Sequence, residues 1–489
     1  MEKNVKKIMV ILSVVLLTLN CNVAFANPPD KPGGNGDVPG GNSSVNVTHT
    51  GKDEISSDIK NDGQNYSSVT SSQNALLVTG GISTISNPVV TKSGDSDGDS
   101  SDFYGTNAAI LVKEGTLNII GGNVTTNGSH ANGVFAYSNG VINISDTNIK
   151  TTSNNSGAIM VTGGGTLNAN NVTAETDGNS SAPIRSDRGG GTLTVNGGSY
   201  TSHGTGSPVI YSTANITVNN ASLISTASEG VVVEGKNSVT LNNVEMEATN
   251  TKLNSNSQTY KAIFIYQSMS GDADVGTSSF IAKDSKIVNN KGDIIFVTNT
   301  SAVVELENNE IVNNDSDGNF MKISSAKWGT SGKNGGEVVL NAKNQKIEGN
   351  ILVDSISTLD LTLKEGSSYL GTINNENTAE TINITLDSTS TLTLKGDSYI
   401  TSLNNEATDN SNINLNGYTL YVNGTPITST NYQELTNVTT QNNTQTNTDD
   451  TTQEESILKK NIILPIVSVL IIILVVLVYK KVAKKDKNI

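Results

Sequence analysis

Cysteine occurs once in the 489 residues, at Cys21, and arginine only twice, at Arg185 and Arg188. There are three histidines, one tryptophan and nine prolines, and aromatic residues make up 4% of the chain. Each scarcity excludes something. A lone cysteine rules out a disulfide framework or a thiolate metal cluster within one chain. Three scattered histidines, His49, His130 and His203, show no partner at metal-ligand spacing. Few aromatics rule out a large aromatic core. No apolar stretch between residues 50 and 430 keeps a 3.6-residue period over ten residues, so an amphipathic helix is not the organising element there.

What the chain has is repetition. Ala109-Ile110-Leu111-Val112, Gly133-Val134-Phe135-Ala136, Ala158-Ile159-Met160-Val161, Pro183-Ile184-Arg185-Ser186, Pro208-Val209-Ile210-Tyr211 and Gly230-Val231-Val232-Val233 align one above another. A second apolar strand follows each block, as in Leu117-Asn118-Ile119 and Leu167-Asn168-Ala169, then a short third strand around Val124, Ile149 and Val172. Three short strands in each period of about 25 residues form a solenoid pattern, because one coil cannot bury its apolar side alone. Coils stacked about 4.8 Å apart share main-chain hydrogen bonds and a common core. The expected fold is all-β, a right-handed parallel β-helix over 51–427, of which 71–427 would make about 13 to 14 coils with a length near 65 Å and the residues before it the capping coils.

Asparagine recurs between the second and third strands, at Asn148, Asn170-Asn171, Asn219-Asn220, Asn242-Asn243 and Asn308-Asn309. It tolerates positive φ, and amides in successive coils can hydrogen-bond along the stack. This corner resembles the asparagine ladder of pectate-lyase-like β-helices. The block Ser101-Asp102-Phe103-Tyr104-Gly105 and the runs 260–280 and 356–373 resemble bacterial cell-surface β-helix proteins described as adhesin-like. The resemblance covers roughly 70–427 and speaks to fold more than to activity. In pectate lyases an arginine base stands beside Ca2+-binding carboxylates on neighbouring strands. Here Arg185 is flanked by Met160-Val161-Thr162 and Ile210-Tyr211-Ser212, without carboxylates. Asp187 and Glu234 fall two coils apart, and the matching strand of the coil between, Ile210-Tyr211-Ser212, holds no carboxylate, so the facing pair that glycoside hydrolysis requires is not evident. The expectation is that the protein is not an enzyme.

The flanks suggest a surface protein. Residues 1–26 read as a signal peptide: Lys3, Lys6 and Lys7, an apolar run, then Ala24-Phe25-Ala26. Residues 27–50 form a flexible spacer rich in Gly, Pro and Asn, and 428–458 a disordered Thr/Asn/Gln stalk. Residues 459–479 read as a transmembrane helix, with eighteen uncharged residues over 462–479. The basic tail 480–489 belongs in the cytoplasm by the positive-inside rule, leaving the solenoid extracellular on a single-pass membrane anchor. Net charge is −15. The signal carries +2, the tail +4 and the pair Lys459 and Lys460 another +2, so −23 falls on the remainder. Such acidity argues against a nucleic-acid partner.

Asp95, Asp97, Asp99 and Asp102 offer carboxylates in a loop expected to protrude from one coil. Ca2+ favours such oxygen-rich loops, while a solvated acidic loop is the plain alternative; no other cofactor is expected. Inserts are expected over 250–260, 268–278 and 326–336. Trp328, in the last, is suited either to stacking on a sugar or to covering the coil edge. Finally, Ile110, Val134, Ile159, Ile184, Val209, Val231, Ile263, Ile294 and Phe320 are never polar and are expected to face the core. Their successors would then form an outward apolar row, in which Phe135, Met160, Arg185, Ile210 and Phe264 line one groove. These features favour an adhesive or carbohydrate-binding role, the ligand being a polysaccharide or a surface protein. A polysaccharide lyase or hydrolase is the alternative, and a purely structural spacer a third.

Overall fold

The computed structural model describes residues 47–429, apart from residues 97 and 254–257 and the side chain of Asp99. The signal peptide, most of the spacer, the stalk, the membrane anchor and the tail lie outside the described residues. Among the described residues no helix is long and apolar enough to cross a membrane.

The solenoid is seen directly in strand pairing. In one coil the first strand is Ile159–Thr162, and Gly165–Thr176 carries the second and third around a bend at Asn171. Ile159 pairs in parallel with Val134 before it and Ile184 after it. Leu167 does the same with Ile142 and Leu193, and Ala174 with Ile149 and Tyr200. Repetition of this pattern stacks about 15 turns, slightly more than the sequence period implies, because the first turn already starts at Gly51. At about 4.8 Å per turn the stack is about 70 Å long. Leu420–Val422 ends the stack by pairing antiparallel with Thr425–Pro426, which covers part of the last edge.

Inward residues of all three strands form one continuous apolar core from Ile55 to Leu420. Alternation along each strand follows from the two-residue period: Leu359, Leu361 and Leu363 point in, and Asp360 and Lys364 out. The corner asparagines behave as their chemistry suggests. Asn171, Asn220, Asn243 and Asn308 adopt φ of 52°, 54°, 53° and 54°. Amides also stack along the axis: Asn143 donates to Asn118 at 2.9 Å, and Asn168 donates to Asn143 at 3.0 Å. A second ladder runs Asn170, Asn196, Asn219 and Asn242 at 2.9–3.1 Å.

The first-strand parity needs one correction. Ile184 pairs with Ile210, Ile263 with Ile295, and Ile295 with Met321. Ile210, Ile295 and Met321 therefore belong to the core column, and Tyr211, Phe296 and Lys322 take the outward positions. The turns before them carry one residue more than the repeat suggests, and a one-residue slip exchanges the two faces of a strand. Val209, Ile294 and Phe320 stay buried, at the corner leading into each strand.

Candidate functional site

With the register fixed, the outward column of the first strand runs Leu77, Leu111, Phe135, Met160, Arg185, Tyr211, Val232, Phe264, Phe296, Lys322, Leu352. Backbone hydrogen bonds extend it through Asn374 to Tyr399, and Tyr399 pairs with Tyr421. Residues with this much apolar surface need cover, and the chain supplies it twice.

The first cover is a short helix, α1 (Asp99–Tyr104), in the segment expected to protrude as a loop. Leu77, Ala108, Leu111, Phe135 and Met160 are buried beneath it as a second small core. Thr162 Oγ1 donates to the Phe103 carbonyl at 2.7 Å, and His49 Nε2 to that of Tyr104 at 2.8 Å. Gly105 ends the helix at φ 72°, and a Cβ there would meet Leu111 at 2.8 Å and Phe135 at 3.0 Å. Glycine is required for both conformation and contact.

The second cover comes from the inserts over 267–277 and 324–335. Trp328 packs 5.2 Å from both Phe264 and Tyr266, and Phe264 stacks on Phe296 at 5.6 Å. Asn334 holds the Trp328 loop by donating to the carbonyls of Ala326 and Trp328. Trp328 is therefore a covering residue. Phe135, Met160 and Phe264 do lie on the outward column, yet internal packing takes them up, and Ile210 sits in the core. The single open groove expected from these residues is not present.

Between the covers lies a polar cluster that spacing did not reveal. Arg185 Nη2 donates to Asp187 at 3.0 Å, and Arg188 Nη2 to Asp272 at 2.8 Å. The Arg188 guanidinium also lies 4.1 Å over the Phe103 ring, touching the first cover. Glu234 accepts from Tyr211 at 2.5 Å, from Tyr266 at 2.8 Å and from Ser268. Burial pushes the Asp187 carboxyl up to about 6, against the pull of Arg185 and with Asp272 adding to the rise. Burial likewise raises Glu234 against its three hydroxyl donors, with Asp272 again adding to the rise. Asp272 comes from the 267–277 insert, so the acidic gap between Asp187 and Glu234 is filled from outside the repeat.

The remaining candidates are placed as follows. Asp95 accepts the Ser129 backbone N–H at 2.8 Å, and Asp102 pairs with His130 at 2.9 Å. Asp97 and the Asp99 side chain lie outside the description, and the two visible carboxylates are engaged separately. The histidines are less isolated than their spacing suggests. His203 Nε2 lies 2.9 Å from Glu175, and these two with Asp177 have ligand atoms within 4.8 Å of one another. The Lys150 ammonium already bridges both carboxylates, at 2.8 and 2.6 Å.

Beyond Phe296 no described segment covers the column. A cleft of about 230 Å3 runs along Lys322, Leu352 and Asn374, bordered by Ser324, Asp354 and the 374–378 loop. Leu352 is half-buried, and Asn375 and Glu376 are exposed. Next along the column, Tyr399 and Tyr421 stand parallel, 4.8 Å apart and partly exposed. Asn374 fixes the loop by accepting from the backbone of Thr378 and Ala379 and donating to the Tyr399 carbonyl. No protein-family model, curated protein or solved structure matches the chain.

Proposed function

We propose that this chain is a membrane-anchored, non-enzymatic β-helix of the cell surface, with an adhesive or carbohydrate-binding role. One observation carries the reading. Among the described residues, the outward column is sealed by the chain's own segments from Leu77 to Phe296 and is without such a cover from Lys322 to Tyr421. An uncovered stretch on an otherwise covered face is where a ligand has room. The signal-peptide pattern of residues 1–26, the uncharged apolar run over 462–479 and the basic residues that follow it support display outside the membrane. The corner asparagines support a pectate-lyase-like ancestry. The test is binding of the full-length chain in detergent micelles to a panel of polysaccharides and surface or matrix proteins. Binding to some member is expected, and binding to none overturns the proposal.

A lyase or hydrolase is the second reading, favoured by Asp187, Glu234 and Asp272 gathered around two arginines. Against it, Asp187 is 5% and Glu234 1% exposed, which leaves a polymer no path to them. Release of reducing ends or unsaturated products from pectins, lost on Arg185→Ala, would establish the catalytic reading instead.

A further inference from the structure

We propose that Glu175, Asp177 and His203 form a binding site for a divalent transition-metal ion, with zinc as the type, at the corner where the third strand ends. The site is separate from the outward column of the first strand and does not depend on the adhesive reading.

Stacking of the coils builds the site. Lys150, Glu175 and Thr201 occupy one outward column of the third strand in successive coils. Just past the strand ends, the backbone N–H of Asp177 donates to Thr151, that of His203 to Thr176 and that of Thr226 to Ser202, each at 2.9 Å. Asp177, His203 and Thr226 therefore follow one another in a second column at the corner. The ligand atoms of Glu175, Asp177 and His203 lie within 4.8 Å of one another. Zinc held tetrahedrally at about 2.0–2.2 Å sets its ligand atoms about 3.4 Å apart. The three side chains are between 38% and 46% exposed, so rotation about their own bonds closes that gap, and an ion reaches them from solvent.

A hydrogen bond from outside the group points to a cation. The Thr226 hydroxyl donates to the Ser202 carbonyl at 3.3 Å, so toward His203 Nδ1, 3.1 Å away, it acts as acceptor. Nδ1 then carries hydrogen, and Nε2 is left facing Glu175 Oε1 at 2.9 Å. A ring nitrogen and a carboxylate oxygen that close need a positive charge between them, either a proton or a metal ion. Histidines that ligate metals are held in this way, with the other ring N–H fixed by an oxygen acceptor.

Lys150 shows where the positive charge is taken up, 2.8 Å from Glu175 and 2.6 Å from Asp177. Its ammonium brings one charge to two carboxylates. A dication brings both and engages the imidazole as well. The flexible lysine stem lets the ammonium withdraw into solvent as the ion enters. The donor set selects the metal. Ca2+ and Mg2+ take oxygen ligands, whereas imidazole with carboxylates suits Zn2+ and its transition-metal neighbours. Three protein ligands on an exposed corner leave a coordination position to water.

The experiment titrates the full-length chain in detergent micelles with zinc chloride, read by calorimetry, with calcium chloride as the comparison. Circular dichroism and the metal-free unfolding midpoint report folding. One equivalent of zinc should bind, and His203→Ala and Asp177→Asn should each weaken it tenfold or more with the midpoint unchanged. Lys150→Met should tighten binding severalfold, because the competing ammonium is gone. Thr226→Val acts only through the orientation of His203 and should weaken zinc severalfold at an unchanged midpoint. His130→Ala, which removes the partner of Asp102, should leave zinc binding as it was. Co2+ in place of zinc should give visible absorption bands that disappear in His203→Ala. The proposal is overturned if zinc does not bind at millimolar concentration, or if His203→Ala or Asp177→Asn leaves its affinity unchanged. It is equally overturned if Lys150→Met fails to tighten binding, if Thr226→Val fails to weaken it, or if Ca2+ binds as tightly as zinc.

Discussion

Arg188 and Asp272, 84 residues apart, meet at 2.8 Å, and through them the two covers of the outward column are joined. The same guanidinium lies over Phe103 of the helical cover. The Asp272 side chain reaches it from the 267–277 insert, so one arginine on a coil touches both segments that shield the apolar row.

Arg188→Ala should therefore loosen both covers without unfolding the coils. The ion pair is partly exposed and worth no more than about 1 kcal/mol, with a similar amount from the cation–π contact. Amide hydrogen exchange over 99–106 and 267–277 should rise roughly tenfold, while the ladders around Ile142 and Leu167 stay protected. Faster exchange throughout the solenoid, or no change in either cover, would contradict this role.

Phe135 and Phe264 act as packing residues. Each is nearly fully buried, Phe135 under α1 and Phe264 between Tyr266, Phe296 and Trp328. Phe135→Ala or Phe264→Ala should lower stability by about 3–5 kcal/mol. Urea unfolding followed by circular dichroism measures this. A loss below about 1 kcal/mol would return these side chains to the role of a free contact surface.

Asp187 sets a pH dependence whose sign is opposite to that of a stabilising salt bridge. Burial raises its carboxyl to about 6 from an ordinary value of 3.8. Between those values the folded state holds a proton that the unfolded chain has released, so stability from this group falls as pH rises. The penalty grows as pH rises through about 6 and levels off about one unit above it. Measured against Asp187→Asn, which does not titrate, the parent protein should lose on the order of 3 kcal/mol between pH 4 and pH 7. A difference that stays flat over that interval would mean Asp187 is ionised at its ordinary value.

The amide ladder should show a position effect. Asn143 both donates to Asn118 and accepts from Asn168, so Asn143→Ala removes two hydrogen bonds. Asn168→Ala removes one. At about 1 kcal/mol per bond the first should cost roughly 2 kcal/mol and the second about 1. Equal denaturation midpoints for the two variants would show that the ladder does not act as a chain of bonds.

By itself the sequence determined the repeating element. Short β-branched strands recurring every 22 to 26 residues have no other way to bury their inward side chains than to stack, so coil, core and corner asparagines were all legible. So was the need for a cover, since Leu111, Phe135 and Met160 cannot face water together at no cost. The tertiary structure alone decided what answers that need. Phe103 reaches Arg188, Trp328 reaches Phe264, and Asp272 reaches Arg188 from inserts whose spacing obeys no period. Local pattern carries no information about where an insert folds back. The same holds for the one-residue slips that moved Ile210 inward and Tyr211 outward, and for Glu175, Asp177 and His203, which only stacking brings together. The open end at Leu352, Tyr399 and Tyr421 was hidden for a related reason. It is defined by the absence of a cover among the described residues, and only the folded chain shows where its covers stop.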